Sequence, residues 1–422
     1  MYRLRIGAML LWSTVAATAA FAELNDRLAP PLDHTAIQYR AGTFSDPVTI
    51  LNGKLQSGTA GLQFLGRQGY LRQLLEALNI PVESQIAVFS KTSFQHDRIS
   101  PRNPRTIFFN DSTSVAWMSG GFIEVASQDP VKGVVFYTLQ QQPGERPTLQ
   151  RQDSCLSCHF SDHSLGVPGM MSRSMFTAPD GRPLLIFGGL SVVDHRTPME
   201  ERWGGYYVTG VTGAVRHLGN AVFTDEDENH PQSVVTPTTL KVASLEGKFD
   251  TRNYLLPFSD ASALMVFNHQ MHMQNLITRV GWEFRTGQSE ALLRAAVQEF
   301  VDYLLFIEEA PLTEAIEDPS LSAFARKFAA RGPRDTKGRS LRDLDLYSRL
   351  LRYPCSYMIY SLAFDALPAE AKDAIYGRMW EVLSGAAKEK KYGRLSLADR
   401  RAIVEILRDT KAGLPAYFHR VR

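Results

Sequence analysis

Cysteine is scarce in this chain, with three residues in 422. That count excludes a disulfide-built scaffold, which is dense in cysteine. Long apolar runs are missing too. The most hydrophobic stretch, Ile6 to about Ala19, is shorter than the ~20 residues a span needs, and Ser13, Thr14 and Thr18 interrupt it. No GxSxG, P-loop or HExxH motif occurs, and neither Gly188-Gly189 nor Gly204-Gly205 forms a dinucleotide fingerprint. The acidic run Asp225–Glu228 lacks the glycine and spacing of a calcium loop and reads as a solvated loop. Charge of one sign is not in excess either. Without residues 1–22 the chain carries 44 basic and 44 acidic side chains, which gives no broad field for nucleic acid or anionic membrane.

What is present begins at the N-terminus. Met1-Tyr2-Arg3-Leu4-Arg5 is a short basic region, the apolar stretch follows, and Ala20-Phe21-Ala22 precedes Glu23. This is the pattern of a cleavable signal peptide over residues 1–22, and it predicts export to the periplasm. No cysteine follows the cleavage site, so a lipid anchor there is not expected, and with the apolar stretch removed no integral span is expected in the mature chain.

Two of the three cysteines sit in Cys155-Leu156-Ser157-Cys158-His159. Two thiols three positions apart, with a histidine directly after the second, form the attachment signature of c-type haem. The thiols can add across the two vinyl groups of one porphyrin edge, and the imidazole can ligate the iron. One covalent haem c is therefore expected, held by Cys155 and Cys158 with His159 on the metal. The rival readings are a zinc site built with His163, or a redox dithiol, although no thioredoxin-like βαβ pattern surrounds the motif. The remaining thiol, Cys355, lies in the apolar stretch Tyr353–Ile359 and reads as buried and inert.

The organisation is that of an α+β chain. Short β-branched and aromatic runs at 106–109, 115–118, 122–126 and 133–139, separated by turn residues, predict antiparallel sheet. Further strand pairs are expected over 173–177 with 183–187, and over 206–211 with 214–218. After about residue 258 the pattern turns helical. Helices are expected from Asp260 to about Arg279 (capped by Ser259), from Ser289 through Ile307, over 368–383, and from Ser396 until Gly413 and Pro415 stop it. The predicted division is a signal peptide 1–22, a β-rich haem-binding domain 23–257 and a helical domain 258–422. Residues 23–45, 224–235 and 331–340 read as loops.

Several blocks extend the likeness beyond the haem motif. They are Ile99-Ser100-Pro101, Phe108-Phe109-Asn110-Asp111, Gly166-Val-Pro-Gly169 with Arg173-Ser174, Asp194-His195, Glu201–Gly210, Arg216–Asn220, His269-Gln270 and Ile277-Thr-Arg279. In these the chain resembles a group of exported, single-haem bacterial cytochrome c domain proteins. The resemblance implies covalent haem and no particular reaction. The likeness to small helical c-type cytochromes covers only Cys155–His159 and does not extend to their fold.

The second axial position decides between a closed electron carrier and an open site that binds small molecules. Met170 and Met171 follow His159 by eleven and twelve residues, a reach of up to ~36–40 Å when extended, and either supply a thioether or wall the pocket. His269 lies in the densest His/Met cluster, Asn268–Met273. On a helix it shares a face with Met265, His272 and Leu276, which suits haem, copper or plain packing. His195 and His217 are further candidates. Arg173 and Arg202 could pair with haem propionates. The leading expectation is a periplasmic monohaem cytochrome passing single electrons to a protein partner. The alternatives are a peroxidase-like haem oxidoreductase and a haem-based redox or gas sensor.

Overall fold

The computed structural model describes residues 30–143, 147–186, 191–230 and 241–419. The signal peptide and Gly188-Gly189 lie outside the described residues. Helix α1 (Pro47–Gln56) opens where the rules of helix starts place it. Pro47 is at the first helical position, and the buried Asp46 carboxylate accepts from the Val48 N–H at 3.0 Å. Helix α2 (Leu71–Ala77) follows. Then come β1 (Ile86–Val88), β2 (Arg105–Phe109), β3 (Thr113–Trp117), β4 (Ile123–Asp129), β5 (Gly133–Leu139) and β6 (Gln150–Arg151). A single helical turn, α3 (Leu156–His159), carries most of the Cys-x-x-Cys-His segment. After β7 (Arg173–Ser174), β8 (Ser191–Val192), β9 (Tyr206–Tyr207) and α4 (Asp225–Asn229), the chain becomes helical. It continues as α5 (Ala261–Thr286), α6 (Glu290–Leu304), α7 (Ala323–Ala330), α8 (Leu362–Asp365), α9 (Ala369–Leu383) and α10 (Leu397–Thr410).

The fold is α+β. Seven strands form one antiparallel sheet in the order β6-β5-β4-β3-β2-β1-β9, while β7 and β8 pair separately. Strand alternation gives the sheet two different faces. One presents Phe108, Val115, Trp117, Val125 and Tyr137 to the leucines of α1 and α2. Tyr137 also donates its hydroxyl to Asp46, which ties the α1 cap to the sheet. The other face presents Ile107, Phe109 and Ala116 to α5 and the helices around it, in one core that runs across the change of character near residue 258. Helix α5 is the axle of that core. Twenty-one of its 26 residues are buried, so it is covered on every side. Among the described residues no helix is long and apolar enough to cross a membrane.

The sheet β2–β5 and the C-terminal helices form where the sequence predicts them, and the Ser396–Asp399 capping box closes on both sides. Four expectations need correction. Residues 183–186 pair only through a bridge from Thr177 to Pro183. Residues 214–218 form no strand, and β9 pairs with β1 instead. Asp225–Asn229 is a short helix rather than a loop: Thr224 and Asp227 cap it reciprocally, and Arg182 bridges Asp225 and Glu228. Asp260, not Ser259, caps α5, which runs about two turns past Arg279 until Gly287 takes a left-handed conformation at φ 69°.

Candidate functional site

The site is built on the helix-facing side of the sheet. Antiparallel register brings Ile86, Ile107, Ala116, Glu124 and Thr138 into one row across five strands. A second row is Phe109, Ser114, Ala126 and Phe136. The middle of this face is therefore paved with small side chains, Ser114, Ala116 and Ala126, and the larger ones stand around them. The paving leaves an open-mouthed cavity of about 290 Å³, at the small end of the range of ligand pockets. Cys155, Cys158 and His159 form one wall, and Met170, Met171, Arg173, Tyr206 and Phe267 line the opposite parts. Phe94 and Phe122 flank the mouth, with Phe94 68% exposed.

Local contacts hold the motif against the sheet. The Gln152 N–H donates to the Phe136 carbonyl, which docks the entering chain on β5. Leu156 inserts between Ala126, Val134, Phe136, Val167 and Trp282. One helical turn then sets Cys155, Cys158 and His159 on a common side, as spacings of three and four require. His159 packs on the Phe136 ring at 4.8 Å between centroids. Its Nδ1 lies 2.9 Å from the Gly169 carbonyl oxygen, and Gly169 N–H donates back to the His159 carbonyl at 2.9 Å. Burial pushes the His159 pKa down to about 4, so the ring is neutral at pH 7. A neutral ring that donates from Nδ1 leaves the Nε2 lone pair for a metal, the usual outer-shell arrangement of a ligating histidine. Burial raises the Cys155 thiol to about 11, and Cys158 is exposed.

The polar groups in the cavity are few and of mixed sign. Arg105 and Glu124 pair at 3.0 Å, and Ser93 also donates to Glu124. The Arg105 Nε is buried with no hydrogen-bond partner among the described residues. Arg173 has no carboxylate at ion-pair distance among them. Two guanidiniums thus face one carboxylate. The arrangement can take a flat, largely apolar group with a metal for Nε2, electrophilic carbons for two thiols and acid groups for the guanidiniums.

Of the candidate second ligands, the structure brings Met170 and Met171 to this cavity and leaves the histidines elsewhere. His195 and His269 are fully buried and meet each other, Nδ1 to Nδ1, at 2.8 Å. The second nitrogen of His269 is bonded to Ser356 Oγ at 2.7 Å, so no lone pair of that ring is spare. His217 is buried beside Trp203, and neither ring nitrogen has a partner in hydrogen-bond geometry, although the Gly219 backbone lies near. These three do not line the cavity. Arg202 does not either: its guanidinium donates to the Thr197 and His195 carbonyls and touches Met265 Sδ. No group of three or more His, Cys, Asp or Glu among the described residues could hold a metal ion, so the Cys155–His163 set is not assembled as one. Cys355 is buried, and burial raises its thiol pKa strongly.

Sequence reasoning passed over Arg105 and Glu124. The available signal was a charged residue at the start of each of two largely buried strands, Arg105 before Thr106–Phe109 and Glu124 between Ile123 and Val125. It also passed over Asn275, whose side chain brackets the Met170 backbone. No protein-family model matches the chain, and no curated protein or solved structure matches it.

Proposed function

We propose that the chain is a monohaem c-type cytochrome. In this reading Cys155 and Cys158 bind haem covalently, His159 is an axial ligand, and the protein passes single electrons to a protein partner in the periplasm after removal of residues 1–22. One observation carries it: the CxxCH turn lies along the wall of a mostly apolar cavity, with its imidazole already held through Nδ1. Bound haem would supply a one-electron iron couple whose potential depends on axial ligand, burial and hydrogen bonding. The chain's own residues do the rest. His159 presents Nε2, Met170 and Met171 offer thioethers, and the apolar wall keeps water from the macrocycle. Arg105 and Arg173 are placed to pair with propionates, since guanidinium binds carboxylate in a fork.

A second reading, a haem oxidoreductase or a gas sensor, draws support from the Arg105–Glu124 pair within an open cavity. Distal hydrogen-bond donors and access govern whether haem binds small molecules. Expression with haem-attachment machinery tests both. The pyridine haemochrome spectrum and intact mass should show one covalent haem on a chain starting at Glu23, lost in a Cys155→Ala/Cys158→Ala variant. A colourless wild type refutes both. A high-spin ferric spectrum that shifts with cyanide selects the second.

A further inference from the structure

We propose that Asn275 is the positioning residue of the axial-ligand loop, fixing both the tautomer of His159 and the origin of the Met170 thioether. The role toward haem rests on the cytochrome reading above, whereas the latch itself is a property of the polypeptide.

The segment after α3 runs through Ser161–Ser164 and two successive left-handed residues, Leu165 and Gly166, before reaching Met170. Such a segment has no ladder of its own and must be fixed from outside. Helix α5 does this from one face. Asn268, Asn275 and Arg279 are spaced seven and four apart and therefore stack on one side of the helix. Asn268 Nδ2 donates to Ser172 Oγ at 2.6 Å, and Arg279 Nη1 donates to the Leu165 carbonyl at 2.6 Å. Between them Asn275 makes the central contact. Its Oδ1 accepts from Met170 N–H at 3.2 Å, and its Nδ2 donates to the Met170 carbonyl at 2.7 Å. One side-chain amide thus pairs with both polar groups of one residue, as a neighbouring strand would.

That residue follows Gly169, whose carbonyl receives His159 Nδ1–H. A Cβ on Gly169 would come within 2.1 Å of Asn275 Oδ1, so the two are in direct contact and a side chain there must displace the Asn275 amide. Asn275 is 2% exposed and flanked on α5 by Met273, Leu276 and Ile277, also buried. A buried amide in such surroundings is costly unless both its ends are paired. Here both are paired to the loop. Shifting Asn275 therefore shifts Gly169 O relative to the imidazole and Met170 relative to the cavity, with no contact between Asn275 and the cavity itself.

The test uses the full mature chain and has two arms. In haem-free protein, ring ¹⁵N shifts of His159 at pH 7 should show the Nδ1–H tautomer in the wild type and a tautomer mixture in Asn275→Ala. Exchange of the Gly169 amide should be roughly tenfold faster in the variant. In haem-loaded protein, Asn275→Ala and Asn275→Asp should keep covalent haem but change the ferric spectrum and reduction potential. The aspartate keeps the acceptor for Met170 N–H and loses the donor to its carbonyl. Gly169→Ala pushes on the same contact from the other side and should give the same spectral change, which serves if Asn275→Ala does not fold. A folded variant with wild-type His159 shifts and Gly169 exchange overturns the latch. Unchanged spectrum and potential in the loaded variants overturns its role toward haem. A wild type that never takes haem refutes the cytochrome reading and leaves the first arm standing.

Discussion

Arg105 on β2 reaches diagonally over the central strand β3 to pair with Glu124 on β4, and it passes Ala116, which stands between Ile107 and Glu124 in the sheet and has only a methyl group. The same methyl keeps the cavity floor low. Ala116→Leu should fill the floor and separate the pair while leaving the opposite, helix-covered face untouched. The expected outcome is a folded protein whose haem-to-protein ratio falls well below that of wild type. Circular dichroism and pyridine haemochrome absorbance check it. Full loading in a folded variant would mean that haem does not use this space.

Arg105→Leu tests the pair itself. Both side chains are 19% exposed, so the removed charge leaves Glu124 partly buried and without its counterion. A cost of about 1–2 kcal/mol is expected, between the exposed and fully buried limits. Urea unfolding of haem-free protein measures it. Arg105→Leu/Glu124→Gln should recover part of the loss, because the uncompensated charge is then gone.

The three thiols should separate cleanly by reactivity in the haem-free, reduced protein. Cys158 is exposed, Cys155 is half-buried with its pKa raised to about 11, and Cys355 is buried. The thiolate is the reacting form, so iodoacetamide at pH 8 should label Cys158 first, Cys155 much more slowly and Cys355 only on unfolding. Peptide mass mapping over time gives the order. Rapid labelling of Cys355 would contradict its place beside Tyr357 and Met358 in the helical core.

Much of this architecture is readable from the chain, and the unreadable parts share a cause. The strands β2–β5 announce themselves because each is a short apolar run closed by turn residues such as Asn110-Asp111 and Asp129-Pro130. The Cys-x-x-Cys-His motif is local and needs no fold to be recognised. The cavity floor is different. Ser114, Ala116 and Ala126 become neighbours only through strand register, which the sequence of one strand does not specify. The histidines misled for a related reason. His195 and His269 are 74 positions apart, and nothing local reveals that each is the other's partner. Asn275 is visible only as a polar residue on a long helix until the loop it holds is in place.

The buried histidines give the protein a definite response to acid. Burial lowers the pKa of His217 to about 4 and of His269 to about 3, and lowers His195 as well. An unfolded histidine titrates near 6.5. The folded state therefore holds these rings neutral, and the unfolded state takes up protons first as pH falls. The stability from this source is complete above about pH 6.5 and is lost as the pH falls, for His217 progressively toward pH 4 and on the order of 3 kcal/mol. His159 keeps an edge open to the cavity and contributes less. His217→Leu isolates one member of the set, since that ring has no hydrogen bond to lose. The drop in unfolding free energy between pH 7 and pH 5 should shrink by about 2 kcal/mol in the variant. Urea titrations of haem-free wild type and variant at the two pH values measure the difference. An equal drop in both would show that His217 is protonated in the folded state or reached by solvent.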